Sequence, residues 1–276
     1  MSMNKKLIRL FFRKKSAVLG AALLLLLTGM AVYSLLVSAP ALGGFATGPS
    51  GAHWLGTDTL GRDQFWRITA GARVSLLIGF ISVGLASAIG VTIGLTAGYA
   101  GGRTDLLLMR VVDFMLSFPA ILLAILIVVC FRDPGITAAM IAVGIVEIPV
   151  FARLIRSVAL SEKEKDYVQA ARALGMHPAA IALKQLLPNL LGPLIVQATL
   201  GFGTAILDAA GLSFIGLGAQ EPLAEWGFML KSGKELITSA WWLVAFPGLA
   251  IFLAVLGFNL LGDGLREVLD PRRRLR

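Results

Sequence analysis

Six stretches of this chain are too long and too apolar to fold in water. They run over 17–37, 74–98, 111–131, 134–152, 185–207 and 240–262, and among them carry two charges, Asp113 and Glu147. A bilayer core about 30 Å thick needs roughly 20 apolar residues per helix, so each stretch predicts one transmembrane helix. Charged residues make up 15% of the chain, against about 25% in soluble domains, and apolar residues make up 57%. A disordered chain and a collagen are excluded, and the single cysteine, Cys130, excludes a disulfide scaffold. The expected fold is an all-α polytopic membrane protein with six transmembrane helices. Its expected organisation is a basic tail over 1–16, an anchor helix over 17–37 and an outer loop over 38–73. A five-helix core over 74–262 and a second tail over 263–276 follow.

The first stretch also reads as a signal peptide, because six Lys and Arg precede it and Ser38-Ala39-Pro40-Ala41 follows. A signal core runs roughly 7–15 residues. The stretch over 17–37 is longer, so an uncleaved anchor is the reading adopted. With the amino terminus in the cytoplasm, 19 Lys and Arg lie inside and 6 outside. Lysine and arginine favour the cytoplasmic face, so both termini are expected there. The formal net charge of +9 is then mostly charge of this kind and does not mark a nucleic-acid binder. Trp54, Trp66, Trp226, Trp241 and Trp242 all fall on the outer side, as interfacial anchors or as a surface that receives a partner.

Two loops inside the core are long, an outer one over 214–239 and a cytoplasmic one over 153–188. In the second, Ser161 is placed to cap a helix, with Glu162 and Glu164 in the first turn, where the helix dipole favours acids. Val168, Ala171, Ala173 and Leu174 form a small apolar stripe. Gly175 suits a left-handed terminator, and Pro178 suits the first turn of a new helix. A short helix facing water is stable only against something else. Its alanine-rich face suits close approach by a protein better than insertion into lipid.

Gln169-Ala170-Ala171, then Gly175, then Leu187-Pro188 resemble the EAA loop of ABC importer permeases, including the intervals between them. Gln169 stands where that family has Glu, so no ionic role is assigned to it, and Gln185 stands where Ile is usual. Segments 53–63, 71–76, 210–218, 225–227, 259–266 and 269–272 are similar to the peptide/nickel branch. From Leu7 onward the chain resembles the second, C-type permease of a dipeptide, oligopeptide or nickel importer. The resemblance implies a MetI-like permease fold in a prokaryotic cytoplasmic (inner) membrane. It implies a homologous B-type permease, two ATP-binding subunits and an extracytoplasmic solute-binding protein as partners, besides membrane lipid. Gln169, Ala170, Ala171, Gly175, Leu187 and Pro188 would then couple to the ATPase. ATP binding would move the docked loop as a rigid unit, tilt the fourth and fifth spans and switch access. The chain has no G-x-x-x-x-G-K-[ST] run, so ATP and Mg belong to the partner subunits, and no cofactor, metal or catalytic residue is expected here.

An acid facing lipid at the bilayer centre costs about 2.5–3.5 kcal/mol, so Asp113, Glu147 and Asp208 are expected to face protein or a water-filled path. Asp113 lies three residues after Arg110, which predicts an intrahelical pair. Glu147 is the candidate pathway-lining group. Asp208 is expected at the outer gate or in a hydrogen-bond network with Ser213. Pro149 and Pro188 are expected kink points or static bends. Asp263 and Arg266 read as a local pair or a contact with the partner permease, and Arg272–Arg274 with Arg276 as a lipid-headgroup contact. A secondary transporter would also use acids at membrane depth, but it gives no reason for the helix–glycine–helix loop. A membrane enzyme fails because His53 lies outside and His177 inside, so they cannot share a site.

Overall fold

The computed structural model describes residues 10–269, and its named elements are all helical. Helix α1 spans Lys15–Leu36, α2 Gln64–Ala100, α3 Gly102–Leu116, α4 Ala120–Val129 and α5 Ile136–Glu162. Then come α6 (Asp166–Ala173), α7 (Pro178–Ile181), a π-helical turn (Ala182–Leu186), α8 (Leu187–Ile215), α9 (Trp226–Gly233) and α10 (Trp242–Leu269). Among the described residues, five segments are long and apolar enough to cross a bilayer: α1, α2, α5, α7 through α8, and α10. A sixth crossing requires α3 and α4 together, and these are bent 93° to one another. The third expected span, 111–131, therefore straddles a break. Pro119 causes it. Proline has no N–H to continue a helix and pushes the residue before it, Phe118, out of the helical region. Pro119 itself caps α4 at φ −57°, ψ 131°. Residues Lys5, Lys6, Arg9 and the expected headgroup contact over 272–276 lie outside the described residues.

The centre of the bundle is α2 against α5. Helix α2 has 37 residues, or about 55 Å at 1.5 Å per residue, and so overshoots the expected span of 74–98. Small residues recur at every fourth position along one ridge: Ala86, Gly90, Gly94 and Gly98. A Cβ on Gly90 would sit 2.5 Å from the Phe151 Cβ, and one on Gly94 would sit 2.4 Å from the Ala152 carbonyl oxygen. In lipid there is no hydrophobic drive between helices, so close van der Waals approach of this kind holds them together. The same device joins α1 to α10, where a Cβ on Gly264 would meet the Ala17 Cβ at 2.4 Å. A Lys14–Glu267 ion pair closes that end. No ion pair joins Asp263 to Arg266 among the described residues, so the expected local pair does not form.

At the opposite end of α2 a cap is built from residues 43–63 and 217–225. Asp63 caps α2, accepting the Trp66 N–H at 2.8 Å, while its other oxygen lies 2.9 Å from His53 Nδ1. Asp58 is buried and accepts the backbone N–H groups of Leu60 and Arg62 at 2.8 and 2.9 Å. Arg62 donates to both oxygens of Glu221, 159 residues away, at 2.7 and 2.9 Å. That guanidinium holds the Glu221 carboxyl below its usual range. Trp226 is fully buried and donates to the Ile68 carbonyl at 3.1 Å. Trp242 is buried too and donates to the Thr57 carbonyl at 3.3 Å. These two tryptophans are therefore core side chains and not interfacial anchors, whereas Trp54 and Trp241 are exposed.

Candidate coupling hairpin and translocation face

Helix α6, the Gly175 turn and α7 form a hairpin at the end of the bundle away from the cap. Helix α6 does not start where the sequence suggested. Helix α5 runs on through Ser161 to Glu162, so Ser161 caps nothing, and Glu164 lies in the link. Lys165 is the residue before α6, and Asp166 supplies the first-turn acid. The helix ends in a Schellman arrangement: the Met176 N–H donates to the Ala171 carbonyl at 3.1 Å, and the Gly175 N–H to the Arg172 carbonyl at 2.9 Å. Gly175 holds φ +76°, in the left-handed region. Pro178 opens α7, and the His177 ring accepts the Ala179 N–H at 3.3 Å.

The hairpin has a core within its own chain, which the sequence reading did not anticipate. Val168 and Ala171 are buried with Leu95, Ile155, Ala159, Ile181, Leu186 and Leu190. The motif residues therefore divide. Ala171 faces inward, and Leu187 packs partly against the same cluster. Gln169, Ala170, Gly175 and Pro188 are exposed, and Leu174, expected in the apolar stripe, is 87% exposed. The Tyr167 hydroxyl donates to Glu162 at 2.9 Å and accepts from Asn189 at 3.2 Å, which ties the end of α5 to the start of α8. Burial and the Glu162 carboxylate push the Tyr167 phenol up to about 12.

Helix α5 is clamped to α3 beside the hairpin. Arg156 grips both oxygens of Asp105, and Arg153 reaches Asp113 at 2.6 Å. The expected Arg110–Asp113 pair is thus replaced by a pair between helices, because the packing of α3 on α5 brings Arg153 within reach. Further along α5, Glu147 is half-buried and lies 3.0 Å from the Thr204 hydroxyl of α8. Asp208 follows one turn later on the same helix and is half-buried. Ser213 is buried and accepts the Ala219 N–H at 3.1 Å, so it shapes the cap-side turn and not the face that carries the acids. Pro149 lies buried inside an uninterrupted α5, and Pro188 lies in the first turn of α8, just after the π turn.

The family model for a binding-protein-dependent transport system inner membrane component matches residues 90–275. The chain belongs to that family. It is an ABC importer permease, a transport component and not an enzyme. The permease is 54% identical over 227 residues to the dipeptide transport system permease protein DppC of Alkalihalophilus pseudofirmus, covering 82% of this chain and 74% of that protein. It is 47% identical over 224 residues to the probable D,D-dipeptide transport system permease protein DdpC of Escherichia coli, covering 81% and 75%. It is 47% identical over 225 residues to the glutathione transport system permease protein GsiD of Pectobacterium atrosepticum, covering 82% and 74%. Among solved structures, the MetNI methionine ABC transporter in an inward-facing conformation aligns with a TM-score of 0.61 at 20% identity, covering 74% of this chain and 97% of that one. At that identity the likeness is one of fold. The sequence resemblance to the C-type permeases and the expected MetI-like architecture are both borne out.

Several features of the permease escaped the motif reading. The every-fourth-residue ridge over 86–98 was visible as spacing and marks the α2–α5 contact. Pro119 was a visible breaker inside an apolar run. The Arg62–Glu221 and Arg153–Asp113 pairs had no local signal, since each joins residues far apart in sequence.

Proposed function

We propose that the permease forms half of the translocation pathway of an ATP-driven peptide importer and couples to its ATPase through the α6–α7 hairpin. The hairpin geometry carries this reading. Helix α6 is seated on the permease's own core by Val168 and Ala171, so a push on its outer face moves α5 and α8 with it. That outer face presents Gln169, Ala170 and Leu174, a small surface with one large apolar group. Closure of two ATP-binding subunits would then shift α5 and α8 and alternate access. A homologous B-type permease would complete the pathway, and a solute-binding protein would deliver the ligand on the cap side. Both termini and the hairpin are placed in the cytoplasm, from the excess of Lys and Arg on that side. The peptide reading follows the names of the relatives. Glu147 and Asp208 are assigned to the pathway, with Thr204 orienting Glu147.

The test is purification from native membranes with all accompanying subunits, followed by ATP-driven dipeptide uptake in proteoliposomes. We expect a second permease and ATP-binding subunits to co-purify, and Glu147→Gln to change uptake rate or ligand range. A lone chain that transports without ATP would overturn the importer reading. Unchanged kinetics and ligand range in Glu147→Gln would remove the pathway assignment.

A further inference from the structure

Between the last turns of α2 and the π turn lies an open slot of about 400 Å³. Leu95, Thr96 and Tyr99 form one wall, and Ala182, Leu183 and Leu187 form the other. The first wall lies at the end of the apolar run 74–98 and just beyond it, and the second belongs to the π turn and the start of α8, so the slot sits where that run meets the hairpin. Three cations lie beside residues of the two walls. The Arg172 guanidinium is held over the Tyr99 ring, 5.4 Å from its centroid. Lys163 Nζ donates to the Gly98 carbonyl at 2.9 Å, one residue before Tyr99. Lys184 is exposed on the π turn directly after Leu183. The slot is therefore lined mostly by apolar side chains, with basic groups next to its lining residues. Basic pockets between helices on the cytoplasmic side suit anionic headgroups, and π turns concentrate at functional positions.

We propose that this slot binds one anionic phospholipid of the cytoplasmic leaflet. An acyl chain lies between α2 and the π turn, and the phosphate sits against Arg172 and Lys184. A free phosphate would have no use for the apolar walls, and a neutral lipid would gain nothing from the cations. The lipid fills the space between the hairpin and α2, and so sets how far the coupling element can approach the helix that α5 packs on. The inference rests on the proposed function only for placing the hairpin on the cytoplasmic side.

Native mass spectrometry of the transporter, purified in mild detergent with its accompanying subunits, tests this. We expect one phospholipid to be retained per permease, with anionic headgroups enriched at least about fivefold over the membrane pool, the scale set by one nearby cation. Arg172→Gln combined with Lys184→Gln should abolish the enrichment while a lipid is still retained. Thr96→Trp, at an exposed position on the slot wall, should lose lipid of either kind. No retained lipid in the unmodified protein, or retention that Thr96→Trp leaves unchanged, overturns the proposal. Cross-linking of Thr96→Cys to another subunit, in a Cys130→Ser background, would show that protein covers the slot and would also overturn it. Co-purification of ATP-binding subunits reports separately on the importer reading, whichever way the lipid count falls.

Discussion

Replacing Gly175 isolates the hairpin turn from every other variable. The residue holds φ +76°, and a Cβ built on it meets nothing within 4 Å. Any side chain there is penalised by backbone conformation alone. For alanine in the left-handed region the cost is about 1–2 kcal/mol, which lowers the population of the native turn roughly five- to thirtyfold. Valine is β-branched, and for such residues this region is an outlier, so its cost is larger. Asparagine visits the region more readily, so its cost is smaller. Losing the turn forfeits the two backbone bonds from Gly175 and Met176 that close α6. Uptake, normalised to permease present in the membrane, should fall in the order wild type, Gly175→Asn, Gly175→Ala, Gly175→Val. Membrane levels should stay constant, because the residue lies outside the spans. Co-purified ATP-binding subunits should fall in the same order. Wild-type uptake in Gly175→Val at equal membrane level would refute the coupling role.

Three further outcomes are expected. Gly94→Leu should destabilise the folded permease by at least about 1–3 kcal/mol, the usual cost of overpacking, because its Cβ would meet the Ala152 carbonyl oxygen at 2.4 Å. Gly84→Leu, which meets nothing within 4 Å, is the control, and equal melting temperatures for the two would sink the ridge argument. Tyr167→Phe removes a hydroxyl shared by Glu162 and Asn189, at about 0.5–1.5 kcal/mol. Hydrogen exchange in α6 should rise while the rest of the bundle is unchanged, and no change in α6 would show that the network is idle. Glu221 is held below its ordinary carboxylate value by Arg62. Its contribution to cap stability is therefore complete above the unfolded pKa of about 4.3 and is lost as pH falls through the lower folded value. Cap loosening, read by fluorescence of exposed Trp54, should begin only below that pH in the wild type, and Glu221→Gln should remove the acid step. A Glu221-dependent transition nearer neutrality would contradict the sign.

Local patterns in the sequence determined how many membrane crossings to expect, and where the coupling turn falls. An apolar run must leave water whatever it packs on, and Gly175 must adopt a left-handed turn wherever a helix ends beside it. The period of small residues over 86–98 was equally local and equally legible. Pro119 was readable as a breaker, although run length alone hid the 93° bend. Tertiary structure decided everything that depends on which helix lies beside which. It gave Asp113 to Arg153 instead of Arg110, buried Trp226 and Trp242 in the cap, and turned Ser213 away from the acids. It also seated α6 on Leu95, Ile155 and Leu190, so that a helix with no core in its own segment found one in the ends of three others. Ion pairs and burial are set by distances in space, and a single sequence records distances only along the chain.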